Sequence, residues 1–225
     1  STMMLIAHAL PVELGIARQC GVNLWVQGAI RCLGALACGI LMHRIFLWTD
    51  TLSQPAEVLW EPAQTDDSLW SWVQGEVVNL LSILVIVLLL ICLMRILTAF
   101  RVTEFCNRLL RPVLRLMGIG YNAATITVIG LVIGITYGGG LIIHEAKSGT
   151  VSRKDLFASL SLMGLSHALI EDTVLMLLLG AHMSGVFWGR LVFSLGAVAV
   201  LARMYGRFVS SGSAVAAPDK EPVKE

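Results

Sequence analysis

Apolar positions along this chain do not alternate, and they do not recur every third or fourth residue as a surface helix requires. They come in runs. The longest is VVNLLSILVIVLLLICLMRIL, from Val77 to Leu97. About 20 consecutive apolar residues are needed to cross roughly 30 Å of hydrocarbon as a helix. Several stretches reach that length, and they predict spans at 22–48, 76–97, 121–143 and 183–204. A further stretch, Leu156 to Leu179, is apolar but interrupted by polar residues around Ser166–Asp172. The fold class that follows is all-α, a polytopic membrane protein.

Composition agrees: 56% of residues are hydrophobic and 14% charged, and the mean hydropathy is +0.80. Soluble domains carry about a quarter charged residues. Net charge is +1, which gives no footprint for nucleic acid. The charge is unevenly placed, however. TDTLSQPAEVLWEPAQTDDSLWSW, from Thr49 to Trp72, holds five acids and no Lys or Arg. Arg95, Arg101, Arg108, Arg111 and Arg115 follow the next span. Basic connections stay cytoplasmic, so the acidic loop is expected outside and the arginine segment inside. Leu109, Leu110, Val113, Leu114 and Leu116 suit an amphipathic helix on the inner face, with Pro112 expected to interrupt it. Trp48, Trp60, Trp70 and Trp72 suit an interfacial belt. His144 and Glu145 read as a solvated pair at the outer interface.

The path of Leu156–Leu179 is open on this reading. A full crossing, after an uninterrupted span at 121–143, would leave the C-terminal tail outside. A re-entrant hairpin from the outer side would leave it inside, as Arg203, Arg207, Lys220 and Lys224 favour. The hairpin is the expectation taken here. Broken backbone at that depth must be covered by protein or line a cavity.

The chain also repeats itself. His8-Ala9-Leu10 recurs as His167-Ala168-Leu169, and the same 159-residue offset aligns Met4 with Met163 and Glu13 with Asp172. It further aligns Gly21 with Gly180, Arg31 with Arg190, and Arg44 with Arg203. Apolar helices match by chance at leucine, rarely at His, acid and two Arg in register. Opposite directions for 22–48 and 183–204 would make the repeats inverted, as in many secondary transporters. The expected organisation is therefore residues 1–48 as the C-terminal part of a first repeat, 49–74 as an external acidic loop, 75–204 as a second repeat, and 205–225 as a disordered cytoplasmic tail. The second repeat has two spans and an amphipathic segment ahead of its histidine. The first has none, so a missing N-terminal portion is expected before Ser1, with its presence as another fragment left open.

GYNAATITVIG (Gly120–Gly130), TYGGGLI (Thr136–Ile142) and the paired HALPVE and HALIED segments resemble the Gate, or nucleoside-recognition, domain membrane proteins. That superfamily includes the bacterial spore maturation proteins, where a sequence similar to Asn122–Thr125 occurs. Related Gate modules lie in ferrous iron and concentrative nucleoside transporters. The resemblance implies an inverted-repeat bundle with re-entrant helical hairpins, in a bacterial plasma (inner) membrane. It does not fix a substrate, and the cysteine-containing motif of the iron-transporter gates is absent.

Ionisable groups inside a membrane are costly and usually face a cavity or a partner. Three readings of these groups compete. His8, Glu13, His167, Glu171 and Asp172, with Asn122, Thr125, Tyr137, Gly138 and Gly139, line a substrate site for a small solute, with imidazole suited to proton coupling. Alternatively His8, Glu13, His167 and Glu171 ligate a divalent cation, the one cofactor-like species considered. In the third reading the same groups only hold a scaffold or accessory subunit together. Arg31 and Arg190 are charge partners of the acids, and the glycines also suit close helix packing. The five cysteines lack metal-ligand spacing. No P-loop, nucleophile elbow or H-E-x-x-H is present, so no enzyme is expected. The partners expected are the lipid bilayer and a small-molecule or ion substrate, with a homodimer left open.

Overall fold

The computed structural model describes residues 1–51 and 68–213. Trp60, most of the acidic loop, Lys220, Lys224 and most of the tail lie outside the described residues. The described part is helical. Among the described residues, four segments are long and apolar enough to cross a membrane: 24–48, 69–99, 153–178 and 184–205.

The first two helices, α1 (Thr2–Ala7) and α2 (Leu10–Gln19), form one line interrupted at His8 and Ala9. His8 is extended (φ −72°, ψ 163°), and Ala9 is left-handed (φ 56°, ψ 21°). Pro11 falls in the first turn of α2, where its missing N–H costs no helical bond. α3 (Leu24–Trp48) returns antiparallel to this line. A Cβ on Gly39 would meet Met3, Arg31 reaches the Ile6 carbonyl, and Gly28 faces Leu14.

The same construction recurs 159 residues later. α8 (Arg153–Ser166) and α9 (Leu169–Leu178) are interrupted at His167 (φ −71°, ψ 164°) and Ala168 (φ 46°, ψ 38°). A π-helical turn, Ser184–Gly189, leads into α10 (Arg190–Ser213). α10 runs back along the broken pair: Phe157 stacks on Tyr205 at 4.5 Å, and Arg190 donates to the Leu165 carbonyl. Gly21 (φ 70°) and Gly180 (φ 78°) end α2 and α9 in the left-handed conformation that glycine permits. Asn23 Oδ1 accepts from Trp25 N at 2.9 Å, and His182, at the corresponding place, accepts from Ser184 N at 3.3 Å.

α3 and α10 are themselves antiparallel. Phe46 lies at Gly185, Met42 at Gly189, and Phe193 at Gly34. Equivalent helices running in opposite directions make the two histidine-bearing units inverted copies.

Between them lie α4 (Leu69–Ala99), α5 (Val102–Leu116), α6 (Tyr121–Ile133) and α7 (Ile135–Ser148). α4 is exposed along nearly all its length; only Gly75 and Leu90 are buried. α5 runs through Pro112 without a break, contrary to expectation, and buries Leu114 while Arg111 covers the Tyr121 ring at 3.3 Å.

The larger correction concerns the hairpin. Residues 121–143 do not form one crossing helix. Gly134 (φ 104°, ψ 174°) sits in a region closed to residues with a Cβ, and the chain reverses there. Gly138 then packs directly on the Gly130 backbone, with the Met163 methyl against both. Thr150 and Val151, just past α7, line the same small cavity as Gly120–Ala123 at the start of α6. The re-entrant hairpin is thus α6–α7. The segment expected to reverse, 156–179, instead passes straight through as α8–α9, kinked at His167. Because a reversal in 121–148 and a crossing at 153–178 exchange roles, the direction of α10 is the one expected. His144 and Glu145 consequently lie at the same end as α5. Glu145 accepts from the Thr150 hydroxyl and makes no ion pair with His144 among the described residues.

Asp155 organises that end. Ser152 caps α8 by accepting from Asp155 N, and the Asp155 carboxylate accepts from Ser152 Oγ (2.8 Å) and Gly120 N (3.1 Å). Arg153 donates to Gly21 O at 2.9 Å, tying the ends of α2 and α8 together. The core centres on α8, whose residues from Leu156 to Ser166 are all buried.

Candidate functional site

Each broken helix leaves carbonyls without intrahelical donors. In both copies an arginine from the returning helix supplies them. Arg31 donates through Nε to Ile6 O (3.0 Å) and through Nη2 to Ile6 O and His8 O (both 2.6 Å). Arg190 donates through Nε to Leu165 O (3.1 Å) and through Nη2 to His167 O (3.0 Å). These are corresponding atoms in the two repeats. Both guanidiniums are almost wholly buried, Arg31 at 1% and Arg190 at 0% exposure. Each also meets its own repeat's acid: Arg31 pairs with Glu13, and Arg190 Nη1 with Asp172 Oδ2 at 2.8 Å. The counter-ion and helix-capping roles thus fall on the same side chains.

The repeats then exchange contacts. His167 of the second copy places Nδ1 2.7 Å from Glu13 Oε1 of the first. His8 of the first places Nε2 3.8 Å from Asp172 Oδ1 of the second. The pairing is reciprocal residue by residue, as a two-fold relation requires, although His167 uses Nδ1 and His8 uses Nε2. On the pseudo-axis the two imidazoles meet, Nε2 to Nε2, at 3.2 Å. His8 is half-buried and His167 is buried.

Hydrogen-bond direction fixes the imidazole tautomers. His8 Nδ1 faces Leu5 O at 2.8 Å, and His167 Nδ1 faces Met163 O at 3.2 Å. Carbonyls and carboxylates accept only, so both Nδ1 atoms carry hydrogen. A neutral imidazole so oriented has a bare lone pair at Nε2. Two such lone pairs then sit on atoms 3.2 Å apart, on rings tilted by 39°, a crowding that an electrophile shared by both would relieve. His8, His167 and Asp172 each place one ligand atom within 4.8 Å of the others.

Beside this cluster a cavity of about 10 Å³ is lined by Glu13, Gln27, Arg31 and Gly164. That is room for about one water molecule. In this conformation that neighbouring cavity admits nothing larger than water.

Several residues singled out in the sequence lie elsewhere. Glu171 points away from its neighbour Asp172, into a crevice of about 540 Å³ with Arg95, Thr98 and Tyr137. Glu171 therefore stands outside the group of His8, His167 and Asp172, because α9 turns the two carboxylates about 100° apart. Asn122 lines the small cavity at the α6 start, and the Thr125 hydroxyl donates to Tyr121 O. Gly138 packs on Gly130, and Gly139 on Ile16. None of Asn122, Thr125, Tyr137, Gly138 or Gly139 reaches the histidines.

Buried polar ties that the sequence reading missed hold α8 in place. Gln27 donates to Ser161 Oγ at 3.1 Å, and Thr127 to Ser159 Oγ at 2.8 Å. The signal available was the serine series 159, 161 and 166 within an otherwise apolar helix.

Comparison with known proteins gives a distant relative. The chain is 26% identical over 183 residues to YvoD, an uncharacterized membrane protein of Bacillus subtilis (strain 168). The match covers 80% of this chain and 59% of that protein, so the chain spans about three fifths of its relative's length. No protein-family model matches the chain, and no solved structure does. Helix length, apolar composition and this relative together make the chain an all-α membrane protein.

Proposed function

We propose that the protein is a transporter of Gate type in a bacterial plasma membrane, with its central charged cluster as the site of the transported or coupling cation. One observation carries the reading: two inverted, interrupted helices meet at the fold's centre through paired histidines, each backed by the other repeat's carboxylate. Broken helices at the interface of inverted repeats are how many secondary transporters build a midplane site. The left-handed Ala9 and Ala168 are hinge points at which each outer half-helix can pivot without unwinding the rest. Alternating access follows if one pivot opens while the other stays closed. Glu171, Arg95 and Tyr137 supply a polar wall outside the centre, large enough for a solute coupled to the ion.

The rival is a scaffold whose charges only join the helices. Reconstitution into proteoliposomes separates the two. Flux of protons or divalent cations, followed by enclosed dyes, is expected with the natural protein and abolished in His167→Ala. Vesicles that stay impermeable to every cation and solute offered, while the protein remains folded, would leave the scaffold.

A further inference from the structure

Resting on the transporter reading, the geometry also specifies which cation. We propose that His8 Nε2, His167 Nε2 and Asp172 Oδ1 form a three-ligand site for a divalent transition-metal ion, of the zinc type, carried as cargo.

The nitrogen separation is the first argument. Two imidazole ligands at about 2.0–2.1 Å from a tetrahedral zinc lie roughly 3.3 Å apart, and these lie at 3.2 Å. The second argument is orientation. Metal-bound histidines donate their other ring N–H to a carbonyl or carboxylate, which fixes the ligating tautomer. Here His8 Nδ1 is set on Leu5 O, and His167 Nδ1 on Met163 O. Glu13, whose Oε1 lies 2.7 Å from His167 Nδ1, stands behind that ring as a charge. The third is the carboxylate. Asp172 commits Oδ2 to Arg190, which leaves Oδ1 turned to His8. His8, half-buried, leaves a fourth position for water and a way in.

Two nitrogens and one oxygen suit zinc and its neighbours, whereas magnesium and calcium require oxygen shells. Charge explains why the ion is cargo and not a fixture. Arg31 balances Glu13, and Arg190 balances Asp172, so no excess negative charge holds a dication. A conducting site must bind well enough to admit an ion and weakly enough to release it.

The purified full chain, stripped with chelator, is titrated with zinc chloride, with magnesium chloride as the control. One zinc per chain is expected, retained against a 100-fold excess of magnesium. X-ray absorption is expected to show nitrogen and oxygen ligands without sulfur. His8→Gln and Asp172→Asn should each weaken zinc binding at least tenfold. His8 is the informative variant because it is half-buried, and zinc-free thermal unfolding confirms that it folds. Failure of the folded natural protein to bind zinc would mean that a proton alone bridges the imidazoles, and would overturn the proposal. Sulfur ligands, or undiminished binding in His8→Gln, would do the same. Zinc bound at the centre without flux through vesicles would remove the transporter and leave the site. Flux of another ion without zinc binding would do the reverse.

Discussion

At the scale of single residues, the buried arginines and the left-handed alanines make the sharpest claims. Arg190 donates to two carbonyls of one broken helix, Leu165 O and His167 O, and pairs with Asp172. Removing one partner of a buried ion pair costs about 3–5 kcal/mol. Arg190→Met is expected to lower stability by that amount in detergent unfolding. Arg190→Lys should rescue little, since an ammonium lacks the planar fork that reaches carbonyl and carboxylate together. An Arg190→Lys protein as stable as the natural one would refute the capping role. Ala9 and Ala168 predict the opposite sign. Left-handed backbone costs a residue with a Cβ about 1–2 kcal/mol. Ala9→Gly and Ala168→Gly are therefore expected to stabilise by roughly 1 kcal/mol each, read in the same assay, and both valine variants to destabilise. The residues of this cluster were legible because the offset that aligns His8 with His167 also aligns Glu13 with Asp172 and Arg31 with Arg190. That Glu171 stands apart was not, because neighbouring acids on a helix differ only in which way it is turned.

At the scale of elements, hydropathy found the spans but not their turns. Tyr121–Ile143 and Leu156–Leu179 are of similar length and apolar character, so composition assigns them interchangeable paths. Their difference is one backbone angle at Gly134 and one close approach. Gly138 carries no side chain where the Gly130 backbone must pass, whereas nothing lies within 4 Å of a Cβ placed on Gly140. Two neighbouring substitutions should therefore diverge. Gly138→Ala forces the α6–α7 pair apart, and a large loss of folded protein is expected, as overpacking of backbone on backbone has no side chain to yield. Gly140→Ala should be neutral, or stabilising by up to about 1 kcal/mol through helix propensity. Yields of monodisperse protein after size-exclusion chromatography measure both. Equal tolerance at the two positions would contradict the hairpin.

At the scale of the whole molecule, the repeat was readable from sequence, whereas its geometry as two crossing, interrupted lines was not. The opposed directions of α3 and α10, expected from the charge of the connections, are realised where Phe46, Met42 and Gly34 meet Gly185, Gly189 and Phe193, contacts that no periodicity encodes. The same architecture fixes which ends share a side of the membrane. α5, the end of α7, the start of α8 and the α2–α3 turn are gathered at one end by Asp155 and Arg153, and Arg108, Arg115, Lys147 and Lys154 stand there. The start of α4 lies a full span away from the start of α5. Lys147 thus separates the structural topology from one with a continuous 121–143 helix, which would carry it to the other face. In a background with the five cysteines replaced, Lys147→Cys, Arg108→Cys and Ser68→Cys are labelled with a membrane-impermeant maleimide in vesicles of both orientations. Lys147→Cys is expected to react in the same vesicles as Arg108→Cys and in the opposite ones to Ser68→Cys. Reaction alongside Ser68→Cys would mean that the chain crosses at Gly134 and does not turn, and the inverted meeting of the two histidines would lose its frame.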